Sequence, residues 1–130
     1  MTLEKARDFF KQDRYATEAT GIVIDEIGEN YSKVSLELQN HHKAAGDHVM
    51  GGVFYTIADF AFAVATNSPE HLTVTISANA SYYRQPKDGK LVAECRMCKE
   101  GKRNCFYEST VMDGQGNTCV KVAFTGAHIN

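Results

Sequence analysis

The segment GGVFYTIADFAFAVATN, residues 51–67, carries a single charge, the carboxylate of Asp59, in an otherwise apolar or small-residue stretch. A leucine there would gain burial without the cost of desolvating a charge, so the carboxylate calls for a reason beyond packing. Partial burial raises the proton affinity of a carboxylate and makes it a stronger general base toward water. Two glycines, Gly51 and Gly52, open the same segment. If the segment is helical, their amides lie unpaired at the positive end of the helix dipole, where they stabilise an oxygen that gains negative charge. Without side chains they also admit a substrate closely. A base and an oxyanion site are the two parts that carbonyl hydrolysis needs. Each feature has a plain structural reading as well. The glycines also fit a tight, closely packed helix entry, and Asp59 also fits a carboxylate bonded to a strand hydroxyl or capping another segment.

Spacing decides how these groups can meet. Phe54, Ile57, Ala58, Ala61, Phe62 and Ala65 cover most of a helical circumference, which predicts a buried helix from Gly51 to about Thr66, stopped by Asn67-Ser68-Pro69. Asp59 lies eight residues beyond Gly51, about 12 Å along the axis at 1.5 Å per residue. Its side chain leans back toward the N-terminus without closing that gap. One carbonyl therefore does not reach both on one helix. Two such helices packed antiparallel about a two-fold would bring Asp59 of one chain to the glycines of the other, so the spacing predicts sites shared across a dimer.

The elements around this helix follow from periodicity. Leu3, Ala6, Phe9 and Phe10 share a face, which predicts a short amphipathic helix over 3–12, in an N-terminal helical segment of residues 1–17. TGIVIDEI and NYSKVSLEL read as two strands around a Gly28-Glu29-Asn30 turn. QNHHKAAGDHVM reads as a polar loop, with His41 and His42 on its solvated side. Four strands follow, HLTVTISANASYY, KLVAECRMCK, NCFYESTVMD and TCVKVAFTGAH, and their short connections predict antiparallel hairpins. The order is helix, two strands, buried helix, four strands, an α+β arrangement in one domain of 130 residues. One antiparallel sheet of five to six strands must curl round the long helix to bury it.

Composition narrows the function classes. A net charge of −2 argues against a broad basic face for nucleic acid or membrane surfaces. The opening MTLEKARDFFKQD lacks the apolar run and cleavage site of a secretion signal, and Asp59 interrupts the best candidate span, so a soluble cytoplasmic protein is expected. Cys95, Cys98, Cys105 and Cys119 should then be reduced thiols. The CRMC spacing lies on a predicted strand, where residues three apart face opposite ways, and no second close pair follows, so no metal site is expected.

The layout, with GDHVMGG before FYTIADFAFAVATN, resembles the hotdog-fold acyl-CoA thioesterases of the phenylacetate-pathway (PaaI-like) type over roughly residues 18–128. The specific part is Gly51-Gly52 followed by Ile57-Ala58-Asp59-Phe60-Ala61-Phe62-Ala63 on the helix. The resemblance implies a hotdog fold, Asp59 as catalytic base or nucleophile, and an amide of Gly51 or Gly52 polarising the thioester carbonyl. It further implies a homodimer, paired again into a homotetramer, and no cofactor, since coenzyme A is part of the substrate. Many members have His-Gly-Gly where this chain has Met50-Gly51-Gly52, so the resemblance assigns no role to a loop side chain here.

Coenzyme A carries phosphates, so basic residues should ring its mouth. Arg84 and Lys87 follow one strand, and Lys102 and Arg103 share a turn; all four also read as solvated turn residues. His48, Met50, Thr56 and Tyr83 complete the candidate substrate contacts, with Thr56 one turn before Asp59 and open to a plain backbone bond instead. Two other readings stand beside the thioesterase. A hotdog hydratase or dehydratase would pair a carboxylate with a histidine, for which His48 is the candidate. A non-enzymatic acyl-CoA-binding protein would hold the ligand without turnover.

Overall fold

An apolar circumference forms a helix where the pattern places it, as α2 over Gly51–Thr66. The structure, a computed structural model, describes residues 1–130. Before α2 come α1 (Leu3–Phe9), a 3-10 turn (Phe10–Gln12), a π-helical turn (Tyr15–Thr20), β1 (Val23–Gly28) and β2 (Tyr31–Glu37). After it come β3 (Thr73–Tyr82), β4 (Lys90–Glu100), β5 (Asn104–Asp113) and β6 (Thr118–His128). Every strand pair is antiparallel, and the six strands lie in the order β1-β2-β4-β5-β6-β3. This sheet wrapped on one long helix is the hotdog fold.

One expectation from the sequence is overturned. β3 and β4 form no hairpin: β3 pairs with β6, and β4 lies between β2 and β5. The segment between them crosses from one side of the sheet to the other. Its start is held by the amides of Tyr83 and Arg84, which both donate to the Cys119 carbonyl (2.8 and 3.2 Å). Pro86 lacks an amide to extend a ladder. β4–β5 and β5–β6 are the hairpins that the short connections predict.

The inner face of the sheet is set by period-two alternation. Val34 and Leu36 of β2, Leu91, Ala93 and Cys95 of β4, Tyr107 and Val111 of β5, and Val120, Val122 and Phe124 of β6 are buried against α2. Phe62 of α2 stacks on Phe124 with ring centroids 4.6 Å apart. Two buried serines interrupt this apolar surface. Ser32 of β2 donates to the Ala61 carbonyl (2.6 Å) and Ser109 of β5 to the Ala58 carbonyl (2.9 Å). Both helix residues are alanines, so the backbone of α2 lies close enough to the sheet to be reached by a short hydroxyl.

The far side of α2 is covered by residues 10–20. The sequence predicts an amphipathic helix over 3–12 within a helical segment of residues 1–17; the chain forms α1 and then two further helical turns that run as a strap across α2. Phe10 packs edge-on against Phe60 at 5.8 Å, and Ala16 and Thr20 are buried. The strap is then joined to the loop before α2. His42 donates from Nε2 to the Thr20 carbonyl (2.7 Å) while its Nδ1 accepts from the Gln39 amide (2.9 Å). The expectation of a solvated loop is thus corrected for His42, which is 3% exposed; His41 remains exposed.

The two sheet edges differ. On β1, the Arg7 guanidinium donates twice to the Ile24 carbonyl (3.0 and 2.8 Å) beside a bulge. β3 carries no such cover, and its Val74, Ile76 and Tyr82 are exposed. Three of the cysteines are buried and Cys98 is exposed, so the two of CRMC face opposite ways. Burial pushes the Cys95 thiol up to about 12, which keeps it protonated. No helix is long and apolar enough to cross a membrane.

At one end of the sheet Asp113 is buried and accepts from the amides of Lys87, Gln115 and Asn117 and from the Asn117 side chain. Burial alone would raise its pKa, but these donors outweigh it and hold the carboxyl at about 2. A depressed folded pKa contributes stability that is complete above the unfolded value of about 3.8 and is lost as pH falls through the folded value. Thermal melts of the wild type and Asp113→Asn should therefore differ most near neutral pH and converge toward about pH 2. A difference that stays constant over that range would assign the effect to shape rather than charge.

Gly126 on β6 offers a packing test. A Cβ there would lie 2.8 Å from Phe62 Cζ, 2.9 Å from Thr73 Cγ2 and 3.0 Å from Cys105 Sγ. Gly126→Ala is expected to cost about 1–3 kcal/mol through overpacking, read from denaturant unfolding. Unchanged stability would mean that these neighbours yield freely.

Candidate active site

Asp59 sits half-buried on the flank of α2 that faces away from the sheet. It lines a cleft of about 510 Å³ between α2 and the strap, together with Thr56, Phe60 and Ala63 of the helix and Gln12, Asp13, Arg14, Tyr15 and Ala16 of the strap. No group of the chain bonds to its carboxylate, and no buried side-chain oxygen is left unsatisfied, so the Asp59 oxygens open onto the cleft. The structural role considered above, a bond to a strand hydroxyl, is filled otherwise: Ser32 and Ser109 are spent on helix carbonyls. Burial, and then the negative charge of Asp13, push the Asp59 pKa above the ordinary carboxylate range. Tyr55, one turn earlier, is raised by burial and by Asp59, and stays neutral.

The first turn of α2 lies at the other end of this geometry. Met50 precedes it in an extended conformation, and no side chain caps it. The amides of Gly51 and Gly52 donate to no group of the chain, and both residues are exposed. Close packing does not explain the glycines. A Cβ on Gly51 would meet only the Tyr82 ring, at 3.7 Å, and one on Gly52 only the flexible tip of Met50, at 3.3 Å. The helix entry is held instead by residues that carried no signal in the sequence. Gln85 bonds both the amide and the carbonyl of Val49 (2.8 and 3.2 Å), and the Met50 amide donates to the His42 carbonyl (3.0 Å).

The remaining candidates scatter. Thr56 shares the Asp59 cleft, though its hydroxyl donates to the Gly52 carbonyl (2.8 Å). His48 lines a different cleft, with Lys43, Asp47 and Gln85. Met50 and Tyr83 are exposed, at 54% and 59%. Arg84 and Lys87 follow the end of β3 whose Tyr82 hydroxyl donates to the Gly51 carbonyl (3.2 Å). Lys102 and Arg103 lie at the opposite end, where the His128 amide, paired across from Thr73, donates to the Arg103 carbonyl (2.8 Å). The ten residues of β3 put about 30 Å between the two basic groups, so within one chain they do not border one mouth. The strap residues 12–16 were not singled out in the sequence. The one signal for them was Phe10, an apolar anchor just before a polar run.

A third cluster sits at that far end of the sheet. His128 Nδ1 lies 2.9 Å from the Thr73 hydroxyl and 3.1 Å from His71 Nε2, and its Nε2 pairs with Glu100. Thr73 is 6% exposed, so this hydroxyl faces no open cleft. The cluster fastens the chain's end to β3 and β4.

Comparison with known proteins agrees with the fold and the helix motif. The family model described as the thioesterase superfamily matches residues 46–120, which include Gly51, Gly52 and Asp59. A protein of Archaeoglobus fulgidus that bears the name of a proposed esterase is 30% identical over 106 residues, covering 81% of this chain and 69% of that one. Among solved structures, the PaaI protein of the Escherichia coli phenylacetic acid degradation operon superposes with a TM-score of 0.87 at 22% identity, covering 100% of this chain and 97% of that one. A hypothetical thioesterase of Streptococcus pneumoniae, solved with coenzyme A, superposes with a TM-score of 0.84 at 16% identity, covering 93% and 97%. The helix entry with two free amides, the single carboxylate eight residues on and the wrapped sheet go with the family match, and the chain belongs to the thioesterase superfamily, with the hotdog fold.

Proposed function

We propose that the protein is an acyl-CoA thioesterase in which Asp59 is the base or nucleophile and the Gly51 and Gly52 amides bind the developing oxyanion. The observation that carries this reading is the Asp59 carboxylate itself: raised in basicity, bonded to nothing in the chain, and open to a cleft. As a base, it takes a proton from water while the water oxygen attacks the thioester carbonyl carbon. The carbonyl oxygen gains charge against amide donors at a helix N-terminus, the C–S bond breaks, and the departing thiolate leaves with the proton. As a nucleophile, its carboxylate oxygen would attack the carbonyl carbon and expel the thiolate, which leaves as the thiol with a proton from water; the resulting mixed anhydride is then cleaved by water to the free acid and the Asp59 carboxylate. The absence of any fold-imposed need for glycine at 51 and 52 supports a close approach by substrate. The coenzyme A in the Streptococcus pneumoniae relative supports the substrate class.

The same reading includes a two-fold dimer. β3 is the uncovered sheet edge, and two such edges joined antiparallel would make one continuous sheet. That pairing would set the Thr73 end of one strand beside the Tyr82 end of its partner, so Lys102 and Arg103 of one chain would approach Arg84 and Lys87 of the other. It would also run the α2 helices antiparallel, as a site shared between Asp59 and a partner's glycines requires. A further pairing into a tetramer and a cytoplasmic location belong to the same proposal.

Asp59→Ala should lose at least about two orders of magnitude in turnover and stay folded, since an unpaired buried charge is removed. Gly51→Pro, which keeps helical geometry but removes one amide hydrogen, should also be impaired. Mixing the two inactive chains should restore part of the activity after subunit exchange, because a heterodimer rebuilds one site from its unmutated halves. Verified exchange with no activity would mean that Asp59 and Gly51 do not meet across an interface. Wild-type turnover in folded Asp59→Ala would overturn the assignment of the base. Release of free thiol from acyl-CoA, as opposed to loss of enoyl-CoA absorbance, separates the thioesterase from a hydratase.

Arg84→Ala and Lys102→Ala should each raise KM more than they lower kcat, because phosphate contacts are mainly uniform binding. The effect should shrink at high salt. If neither alters KM for CoA thioesters, the phosphates bind elsewhere.

A further inference from the structure

The strap that closes the Asp59 cleft contributes a second carboxylate. Asp13 lines the same cleft, at its open rim. Its backbone is fixed from both sides. The Asp13 amide donates to the Phe10 carbonyl (3.0 Å), and the Thr17 amide and hydroxyl both donate to the Asp13 carbonyl (2.9 and 3.0 Å). Three residues before it, Phe10 is buried against Phe60, and three after it, Ala16 is buried. The side chain by contrast has no structural duty. It stands where it could cap the Tyr15–Thr20 turn, yet no side chain caps that turn, and it forms no ion pair. The nearest cation in sequence, Arg14, is engaged by Glu18 (2.9 Å).

We propose that Asp13 is a positioning residue of the candidate active site: the strap holds its carboxylate at the rim of the cleft that Asp59 lines, as a like charge acting on that group. This rests on the thioesterase reading only for its consequence in catalysis; the coupling of the two carboxylates is a property of the fold. The groups that face Asp59 are few. The strap presents Asp13, Arg14 and Tyr15, and α2 presents Tyr55. Tyr55 is neutral, and Arg14 is offset by Glu18, so Asp13 is the charge that acts on Asp59. The sheet meets α2 near this point with the hydroxyls of Ser32 and Ser109, which point to helix carbonyls. Like charges in one cleft disfavour ionisation, and at Asp59 the Asp13 charge adds to burial in raising the pKa. A base gains proton affinity this way, which strengthens it toward water. A single buried carboxylate would gain part of this from desolvation, and the strap supplies the rest at a place where it can be removed without disturbing the core.

The test uses the full chain and the near-isosteric variant Asp13→Asn. Carbon-detected NMR of the aspartate carboxyls follows the Asp59 midpoint directly, whether or not the protein turns over substrate. The midpoint should fall by about half a pH unit or more in Asp13→Asn, return in Asp13→Glu, and shift less at high salt, since the rim is exposed. The acid limb of kcat/KM against an acyl-CoA should move down with it, while KM and the melting temperature stay close to wild type. A merely structural Asp13 would lower the melting temperature and scale activity equally at all pH values with no movement of the midpoint. An Asp59 midpoint that is the same in the wild type and in folded Asp13→Asn overturns the proposal. A midpoint that moves while the acid limb stays in place upholds the coupling and overturns Asp59 as the catalytic base, so the two failures are distinguishable.

Discussion

Two buried hydroxyl bonds set the rotation of the central helix, and the site depends on that rotation. A helix that is apolar nearly all round gains similar burial at many angles about its axis, because burial is non-directional. Hydrogen bonds are directional. Ser32 and Ser109 reach the carbonyls of Ala61 and Ala58, three residues apart and hence on one face, and so fasten that face to the sheet. Asp59 follows Ala58 by about 100° around the helix, which turns it off the sheet and toward the strap. A rotation by one residue would break both bonds and turn the carboxylate off the strap onto the inner face of the sheet.

The same fold holds two carboxylates in opposite regimes. Asp113 is buried among three amides and an asparagine side chain, and its proton affinity is driven down to about 2. Asp59 is partly desolvated, bonded to nothing, and faces another aspartate, so its proton affinity goes up. Burial acts on both in one direction; the donors decide the outcome. A carboxylate surrounded by donors is a structural fastener, and one left without donors in a cleft has its lone pairs available for chemistry.

Exposure of β3 and of the α2 entry has a common sense in this light. One edge of the sheet is tied off by Arg7 and α1, while the other shows an exposed apolar row and a free ladder. The Gly51 and Gly52 amides are free at the helix entry, and the two basic groups lie at opposite ends of β3. In the proposed dimer a second copy across β3 would bring these groups together.

Much of this was legible in the residues alone. The α2 boundaries, the strand segments and the placing of Gly51-Gly52 and Asp59 on one helix come from local periodicity and spacing, which a linear chain displays directly: 3.6 and 2 residues per repeat, and eight residues of rise. Long-range pairing is not written that way. β3 and β4 are close in sequence and look like a hairpin, yet β3 lies beside β6, because strand order is decided by which faces and edges pack together. His42 reads as a polar loop residue, and only the fold brings Thr20 and Gln39 to its two nitrogens. Ser32 and Ser109 look like ordinary positions in alternating strands until the helix lies over them. Asp13 stands 46 residues before Asp59, and nothing local couples them. The sequence by itself determined which groups could do chemistry, because that is a matter of residue type and near spacing. Which of them share a cleft, and so act on one another, was decided by tertiary structure, because electrostatic coupling and desolvation depend on distance through space and not along the chain.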